Sequence, residues 1–260
     1  MLFRRKITKE KIDNKIKKFI SRFGNTPEIK RIQRIERDMD KREKFFELFF
    51  KISFAKDEER KRLIREAKKI ADKIPEFKGW PEKTVKFWDV EAMSWRMKVP
   101  SFVRLFIRKE LLKKAKKLNL ALGSGSCPYI EDSVLVDFST EMLKAVEPSF
   151  KFSKKIVYDL DKGKLPFGDN SFDSVTMVFV VNYLSRAEKV FREVFRILKE
   201  KGKLIIVQSA KMLDDWYVKK EKKQWKTEEL SKLLKKIGFK VKVEKKKIRR
   251  TQLVFVEAIK

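Results

Sequence analysis

The sequence predicts a doubly wound α/β domain, with a seven-stranded, mostly parallel sheet preceded by an α-helical domain. From residue 118 onward, short apolar runs alternate with amphipathic segments, and a Gly-x-Gly turn follows the first run. The last two apolar runs have no helix between them. Alternating strands and helices build a parallel sheet, whereas two consecutive strands pair as an antiparallel hairpin. The predicted parts are a basic helical domain (1–75), a connector (76–117) and a sheet domain (118–260).

The first part carries apolar side chains at helical spacing. One such stripe runs over residues 12–23, and Gly24 is expected to end that helix. Thr26-Pro27 predicts the start of a second helix that reaches about Ile52. A third helix is predicted over residues 57–74, and Pro75 is expected to end it. These helices describe a small bundle with basic outward faces.

The connector has no clear period between residues 75 and 100, although Trp80, Trp88 and Trp95 fall there. These aromatic side chains either pack between the helical part and the sheet or form a lid over a ligand cleft. A helix is predicted from Pro100 to about Lys117. It leads directly into the first strand.

The sheet domain is predicted to alternate strands and helices. The predicted strands are 118–122, 134–137, 156–158, 172–181, 204–207, 239–243 and 253–258. The predicted helices are 139–146, with Ser139 as N-cap, 186–199, which Gly202 follows, and 227–236, with Thr227 as N-cap.

The loop after the first strand predicts a nucleoside site. Gly123 and Gly125 allow the backbone to approach a ligand closely, and Asp137 ends the second strand. A carboxylate at that point accepts hydrogen bonds from ribose hydroxyls. Gly123-Ser124-Gly125 lacks the third glycine of a dinucleotide loop.

Composition excludes several classes of function. The chain has 260 residues, one cysteine and no histidine, so disulfides, zinc sites and Ser-His or Cys-His catalysis are not expected. No uncharged apolar run reaches the roughly 18 residues of a membrane span, and no signal-peptide pattern opens the chain. A reducing cytoplasm is the expected location.

The charge is strongly basic, with a net value of +30. Residues 1–117 carry 37 basic and 18 acidic side chains, residues 118–210 carry 13 and 12, and residues 211–260 carry 17 and 7. Basic flanks around a near-neutral centre are typical of a polyanion binder. A hyperthermophile, indicated by 40% charged residues and scarce amides, would also carry many solvated lysines, but it usually mixes both signs.

Five ordered segments resemble the class I S-adenosylmethionine-dependent methyltransferases. They are 121–126 (the glycine loop), 136–143 (a V-D-x-S-x-x-M-L pattern), 159–160, 165–173, and 192–199 continued by 202–204. The resemblance covers about residues 100–260 and is closest to the type 11 methyltransferases. It implies a Rossmann-like fold and S-adenosyl-L-methionine as cofactor.

The resemblance also implies site residues. The cofactor set is Leu122, Gly123, Ser124, Gly125, Asp137, Phe138, Met142, Asp159, Leu160 and Val180. Asp159 would accept from the adenine amino group, although it could instead cap a turn, and Asp169 and Asp173 fit turns better than ligand contacts. Asn182 and Tyr183, which follow the fourth strand, are expected on the substrate side, together with Trp88 and Trp95 if the lid interpretation holds. No catalytic residue and no metal ligand are predicted.

One departure from the family pattern concerns the helix after the glycine loop. Only about one turn fits between Gly125 and Asp137, and Pro128 interrupts it. The cofactor carboxylate usually lies near the start of that helix. Arg96 is a candidate cation to compensate.

Three functions remain open from the sequence. The first, which the sequence favours, is a methyltransferase of RNA (tRNA or rRNA) whose basic flanks bind phosphates, and the second is a small-molecule methyltransferase with an aromatic pocket wall. The third is a non-catalytic RNA-binding protein with a degenerate cofactor site. Methyl transfer from a sulfonium depends mainly on positioning, so the lack of histidine is no obstacle.

Overall fold

The computed structural model describes residues 27–92, 94–209 and 215–260, and the helix predicted over residues 12–23 lies outside them. The chain divides into two compact units, of which the first ends at Trp80 and the second is Pro81–Lys260. Across the described residues, no helix combines the length and apolar character needed to cross a membrane.

The described residues of the first unit form two long helices. They are Pro27–Phe54 (α1) and Asp57–Ala71 (α2). Their core is aromatic: the ring of Phe45 lies 4.8 Å from that of Phe77 and 5.2 Å from that of Trp80. The second helix ends at Ala71, three residues earlier than predicted, because the chain turns there to bring Phe77 and Trp80 against Phe45.

The second unit contains the sheet. Its helices are Thr84–Glu91 (α3), Trp95–Lys98 (α4), Ser101–Leu112 (α5), Thr140–Lys144 (α6), Ala187–Ile197 (α7), Asp215–Val218 (α8) and Thr227–Ile237 (α9). Its strands are Asn119–Leu122 (β1), Val134–Asp137 (β2), Lys154–Val157 (β3), Phe172–Val178 (β4), Leu198–Ser209 (β5), Lys240–Ile248 (β6) and Thr251–Ile259 (β7). Short 3₁₀ turns cover Leu160–Lys162 and Val181–Tyr183.

The described residues form one seven-stranded sheet in the order β3-β2-β1-β4-β5-β7-β6. Strands β1 to β5 are parallel, and β7 lies antiparallel between β5 and β6. This confirms the predicted fold class and the closing hairpin. The strand order reverses direction between β1 and β4, and ligands bind at such a switch point, beyond the carboxyl ends of the strands.

Several predicted boundaries were wrong. The helix predicted over 186–199 ends at Ile197, and β5 begins at once at Leu198 rather than at residue 204. Thr227 is the first residue of α9, while Lys226 occupies the N-cap position without a capping side chain. The segment without a period contains α3 and α4. Ser139 caps α6 as predicted, because its hydroxyl accepts from the Met142 amide at 3.1 Å.

Candidate functional site

The glycine loop passes beside the end of β4. Gly123 has a φ of +63°, and a Cβ added there would lie 2.5 Å from Cγ2 of Val180. The Ser124 amide donates to the Val136 carbonyl at 3.0 Å, which ties the loop to β2. The loop backbone is therefore held against the switch point at a distance that only glycine permits.

Asp137 closes the other side of this crevice. Its Oδ2 accepts from the Gly125 amide at 2.9 Å and its Oδ1 from the Ser139 amide at 3.0 Å. Burial raises the pKa of this carboxyl to about 6, although these amide hydrogen bonds oppose the shift. Each carboxylate oxygen has two lone pairs, so the side chain can still accept from a ligand hydroxyl.

A cavity of about 740 Å³, measured to its open mouth, lies between the loop and these side chains. The predicted residues that line it are Leu122, Gly123, Ser124, Gly125, Asp137, Phe138, Met142, Val180, Tyr183, Trp88 and Trp95. The fold thus brings together most of the predicted cofactor set and three of the four residues predicted for the substrate side.

Three predicted residues lie outside this lining. Oδ1 of Asp159 accepts from the Asp161 amide at 3.0 Å, so this side chain caps the 3₁₀ turn Leu160–Lys162. Leu160 is buried in the core cluster beneath. The Asn182 amide group joins later segments of the chain, since it accepts from Gln208 and donates to Glu221.

Aromatic rings form one wall of the cavity. The ring of Trp88, from α3, lies 5.3 Å from that of Trp95 and 5.1 Å from that of Tyr183, both in edge-to-face geometry. Such pairs hold flat surfaces rigidly at low conformational cost. The segment 84–98, which showed no period, therefore supplies a wall of the ligand cavity.

Sequence reasoning did not assign seven other lining residues to the site. They are Ala121, Cys127, Pro128, Tyr129, Thr176, Val178 and Phe179. Most of these follow β1 or end β4, so the rule that ligands bind at strand carboxyl ends could have found them. Phe179 has a φ of +58°, which is rare for a bulky residue and directs the chain around the switch point.

Two polar side chains in this lining have no hydrogen-bond partner among the described residues. They are the buried hydroxyls of Ser124 and Tyr183. A buried polar group without a partner is costly, and in a cavity it marks a place where a ligand supplies the bond. Together with the glycine cradle and Asp137, these hydroxyls fit a ligand that combines a nucleoside with further polar groups.

Few groups in the cavity can titrate. Burial raises the pKa of the Tyr129 and Tyr183 hydroxyls and of the Cys127 thiol, so all three are neutral near pH 7. Among the described residues, no cluster of His, Cys, Asp and Glu could hold a metal ion. The site therefore offers positioning and hydrogen bonds.

Comparison with known proteins agrees with this geometry. Residues 118–206 match the family described as Methyltransferase domain. The chain is 35% identical over 122 residues to the demethylmenaquinone methyltransferase of Thermotoga maritima, a stretch that covers 44% of this chain and 49% of that protein. An uncharacterized protein of Methanocaldococcus jannaschii is 27% identical over 194 residues, covering 70% of this chain and 86% of that protein. The chain thus spans about half the length of the Thermotoga enzyme.

Solved structures share the fold. A possible histamine N-methyltransferase of Thermotoga maritima superposes with a TM-score of 0.54 at 21% identity, over 66% of this chain and 98% of that one. A protein solved in complex with the Haloferax volcanii Trm112 methyltransferase activator superposes with a TM-score of 0.53 at 18% identity, over 66% of this chain and 96% of that one. Within the second unit, residues 118–206 thus match a methyltransferase domain, and the unit shares its fold with the possible histamine N-methyltransferase.

Proposed function

We propose that the protein transfers a methyl group from S-adenosyl-L-methionine to a small, planar acceptor. The observation that carries this proposal is the aromatic wall that Trp88, Trp95 and Tyr183 form in the cavity. The cavity must hold both the cofactor and the reacting part of the acceptor. Flat aromatic walls favour a flat, mostly apolar acceptor group.

The chain's own residues would hold the cofactor as follows. The backbone of residues 123–125 would contact its amino-acid part, and the Asp137 carboxylate would accept from the ribose hydroxyls. Phe138 and Met142 offer apolar surface to the adenine ring. When bound, the cofactor supplies a methyl group on a sulfonium, which is already an activated leaving group.

The acceptor must bring its own nucleophile. With the cofactor bound, the acceptor would supply the lone pair that takes the methyl group, S-adenosylhomocysteine would leave with the sulfur, and the acceptor proton would pass to solvent. Among the described residues that line the cavity, Asp137 is the only carboxylate, and we assign it to ribose binding. An acceptor atom that ionises easily, or a neutral amine, therefore fits this site. The neutral Tyr183 hydroxyl would donate to an acceptor oxygen and orient it.

The Thermotoga relative is named a demethylmenaquinone methyltransferase, and this name supports an acceptor other than RNA. RNA is the second candidate, and the net charge of +30 favours it. Some of that charge has another explanation. The exposed Lys240, Lys242, Lys245 and Lys247 lie on the edge strand β6, where lysine prevents edge-to-edge pairing.

Methyl transfer into fractionated extract tests the proposal. The full chain is incubated with tritiated S-adenosyl-L-methionine and the small-molecule, RNA and protein fractions of a thermophile extract. We expect label in the small-molecule fraction and its loss in Trp88→Ala. The matched control is Val85→Ala, since Val85 lies on the same helix but is exposed. Label confined to RNA would replace the proposal by the second candidate, and label in no fraction would refute both.

A further inference from the structure

The connection between β1 and β2 is unusual for a parallel pair. It has eleven residues, 123–133, and no helix lies among them. The connections from β2 to β3 and from β4 to β5 carry α6 and α7, as parallel strands normally require. The first connection therefore differs from the other two in having no helix.

A second cavity, of about 730 Å³, opens on this connection. It is lined by Arg96, Ser101, Arg104, Leu105, Arg108, Ser126, Cys127, Pro128, Tyr129, Glu147 and Phe150. These residues come from α4, from α5, from the connection itself and from the turn after α6. Cys127, Pro128 and Tyr129 also line the first cavity, so the connection forms a shared wall between the two cavities.

The three arginines of the second cavity differ in their partners. Arg96 pairs with Glu147 at 2.6 Å, and Arg108 pairs with Glu131 at 2.7 Å. Arg104 pairs with no carboxylate of the described residues; its Nη1 lies 3.9 Å from the Cys127 sulfur. Arg104 is thus the guanidinium in this cavity whose charge the described residues leave unbalanced.

Two buried polar atoms in the same lining are also without partners. The Arg104 Nε and the Ser126 hydroxyl make no hydrogen bond to any described residue, and Ser126 is only 4% exposed. Native structures satisfy nearly all buried donors, so such atoms need an explanation. A guanidinium with free donors beside a free hydroxyl matches the oxygens of a carboxylate or phosphate group.

We propose that the second cavity binds an oxyanion, a carboxylate or a phosphate group, through Arg104 and Ser126. Two sources have this chemistry. One is the methionine carboxylate of the cofactor, reaching the wall at residues 127–129; this source rests on the proposed function. The other is an anionic group of the acceptor or a free phosphate.

Calorimetric titration of the full chain tests the proposal with three probes. S-adenosylhomocysteine carries the carboxylate, 5′-methylthioadenosine shares the nucleoside and thioether but lacks it, and inorganic phosphate stands for the second source. We expect Arg104→Gln to weaken the binding of S-adenosylhomocysteine, of phosphate or of both by about tenfold or more, as the loss of a charge-assisted hydrogen bond implies. The affinity for 5′-methylthioadenosine should not change.

Ser126→Ala should shift the same probe in the same direction by a smaller factor. It removes one unpartnered oxygen, so it also tests the proposal if Arg104→Gln folds poorly. Arg108→Gln is the matched control, because it removes the same charge from the same helix and cavity, but from a guanidinium already paired with Glu131. We expect this control to leave all three affinities near those of the unmodified chain.

The outcomes separate the sources. If only the binding of S-adenosylhomocysteine is weakened, the oxyanion belongs to the cofactor. If only the binding of phosphate is weakened, it belongs to the other source. If Arg104→Gln and Ser126→Ala change neither, or if Arg108→Gln has the same effect as Arg104→Gln, the inference is overturned. If the unmodified chain binds neither nucleoside probe, the proposed function fails, while the phosphate titration still decides the inference.

Discussion

Replacing Gly123 with alanine should destabilise the second unit more than the same replacement at Gly125. Both glycines have positive φ, +63° and +56°, so alanine costs about 1–2 kcal/mol at either position. At Gly123 the new Cβ would also lie 2.5 and 2.8 Å from the two methyl carbons of Val180. Carbon atoms prefer about 3.5–4.0 Å, and overpacking of this kind costs about 1–3 kcal/mol more.

The steric part can be isolated with a second substitution. At Gly125 the nearest atoms would lie 3.5 Å away, on Trp95, which is ordinary contact, so Gly125→Ala measures the backbone cost alone. In Gly123→Ala combined with Val180→Ala, the clashing methyl groups are gone. The double variant should then be about 1–3 kcal/mol more stable than the sum of the single effects.

Urea denaturation of the four variants without ligand, followed by far-UV circular dichroism, gives these free energies of unfolding. The reasoning is refuted if Gly123→Ala and Gly125→Ala cost the same, or if the two substitutions at positions 123 and 180 are additive. Either result would mean that the loop moves away from β4 at little cost. The close approach would then not be the reason for glycine at position 123.

Three further predictions concern buried polar groups. Burial raises the pKa of Asp137 to about 6, above about 3.9 in an unfolded chain, so the folded state binds an extra proton between these values. The stability of the unmodified protein relative to Asp137→Asn should therefore be greatest below about pH 4 and fall by about 2–3 kcal/mol between about pH 4 and 6. Urea titrations across that range measure this difference. Tyr183→Phe should leave the free energy of unfolding unchanged or slightly higher, because the hydroxyl that it removes has no partner among the described residues. The same substitution should lower the rate of methyl transfer. A large loss of stability would contradict this. Glu110→Gln should lower the free energy of unfolding by about 1–3 kcal/mol in thermal or urea denaturation, because Glu110 is 4% exposed and accepts a hydrogen bond from Lys246. A loss no larger than that from the same substitution at an exposed glutamate would contradict this.

The order of elements in the sheet unit followed from local signals. Each strand is a short apolar run next to a glycine, proline or acidic residue. The absence of a helical pattern between the last two apolar runs predicted the hairpin. Boundaries depended on contacts that a local pattern does not contain. Strand β5 starts at Leu198 because Phe172, at the start of β4, pairs with that residue far along the chain.

The short helices α3 and α4 had no local signal for a physical reason. Helices of eight and four residues are not stable alone, so packing rather than periodicity creates them. Phe87 and Trp88 are buried on α3, and Trp95 is buried on α4. The tryptophans themselves were the usable signal, since a cluster of them in a segment without a period indicated a wall or a packing surface.

Residues of the site were predictable where the backbone alone determines the position. Gly123, Gly125 and Asp137 lie at strand ends, and a strand end has one place in a doubly wound sheet. Asn182 also follows a strand, yet its side chain joins Gln208 and Glu221, partners that lie 26 and 39 residues further along. Where a polar side chain points depends on such distant partners, and one sequence does not show them.

The short connection after Gly125 changes how the binding energy of the cofactor is distributed. A helix start at this point would contribute about 0.3–1 kcal/mol toward a carboxylate, through its amide groups and dipole. Without it, the adenosine end, held by Asp137, must contribute a larger share. The backbone of residues 123–125 would contact the amino-acid part but carries no formal charge, so without compensation by Arg104 the unmodified chain would bind S-adenosylhomocysteine only slightly more tightly than 5′-methylthioadenosine. A clear preference for the former would instead require a cation near the wall at residues 127–129, and Arg104 is the described arginine there that no carboxylate already neutralises.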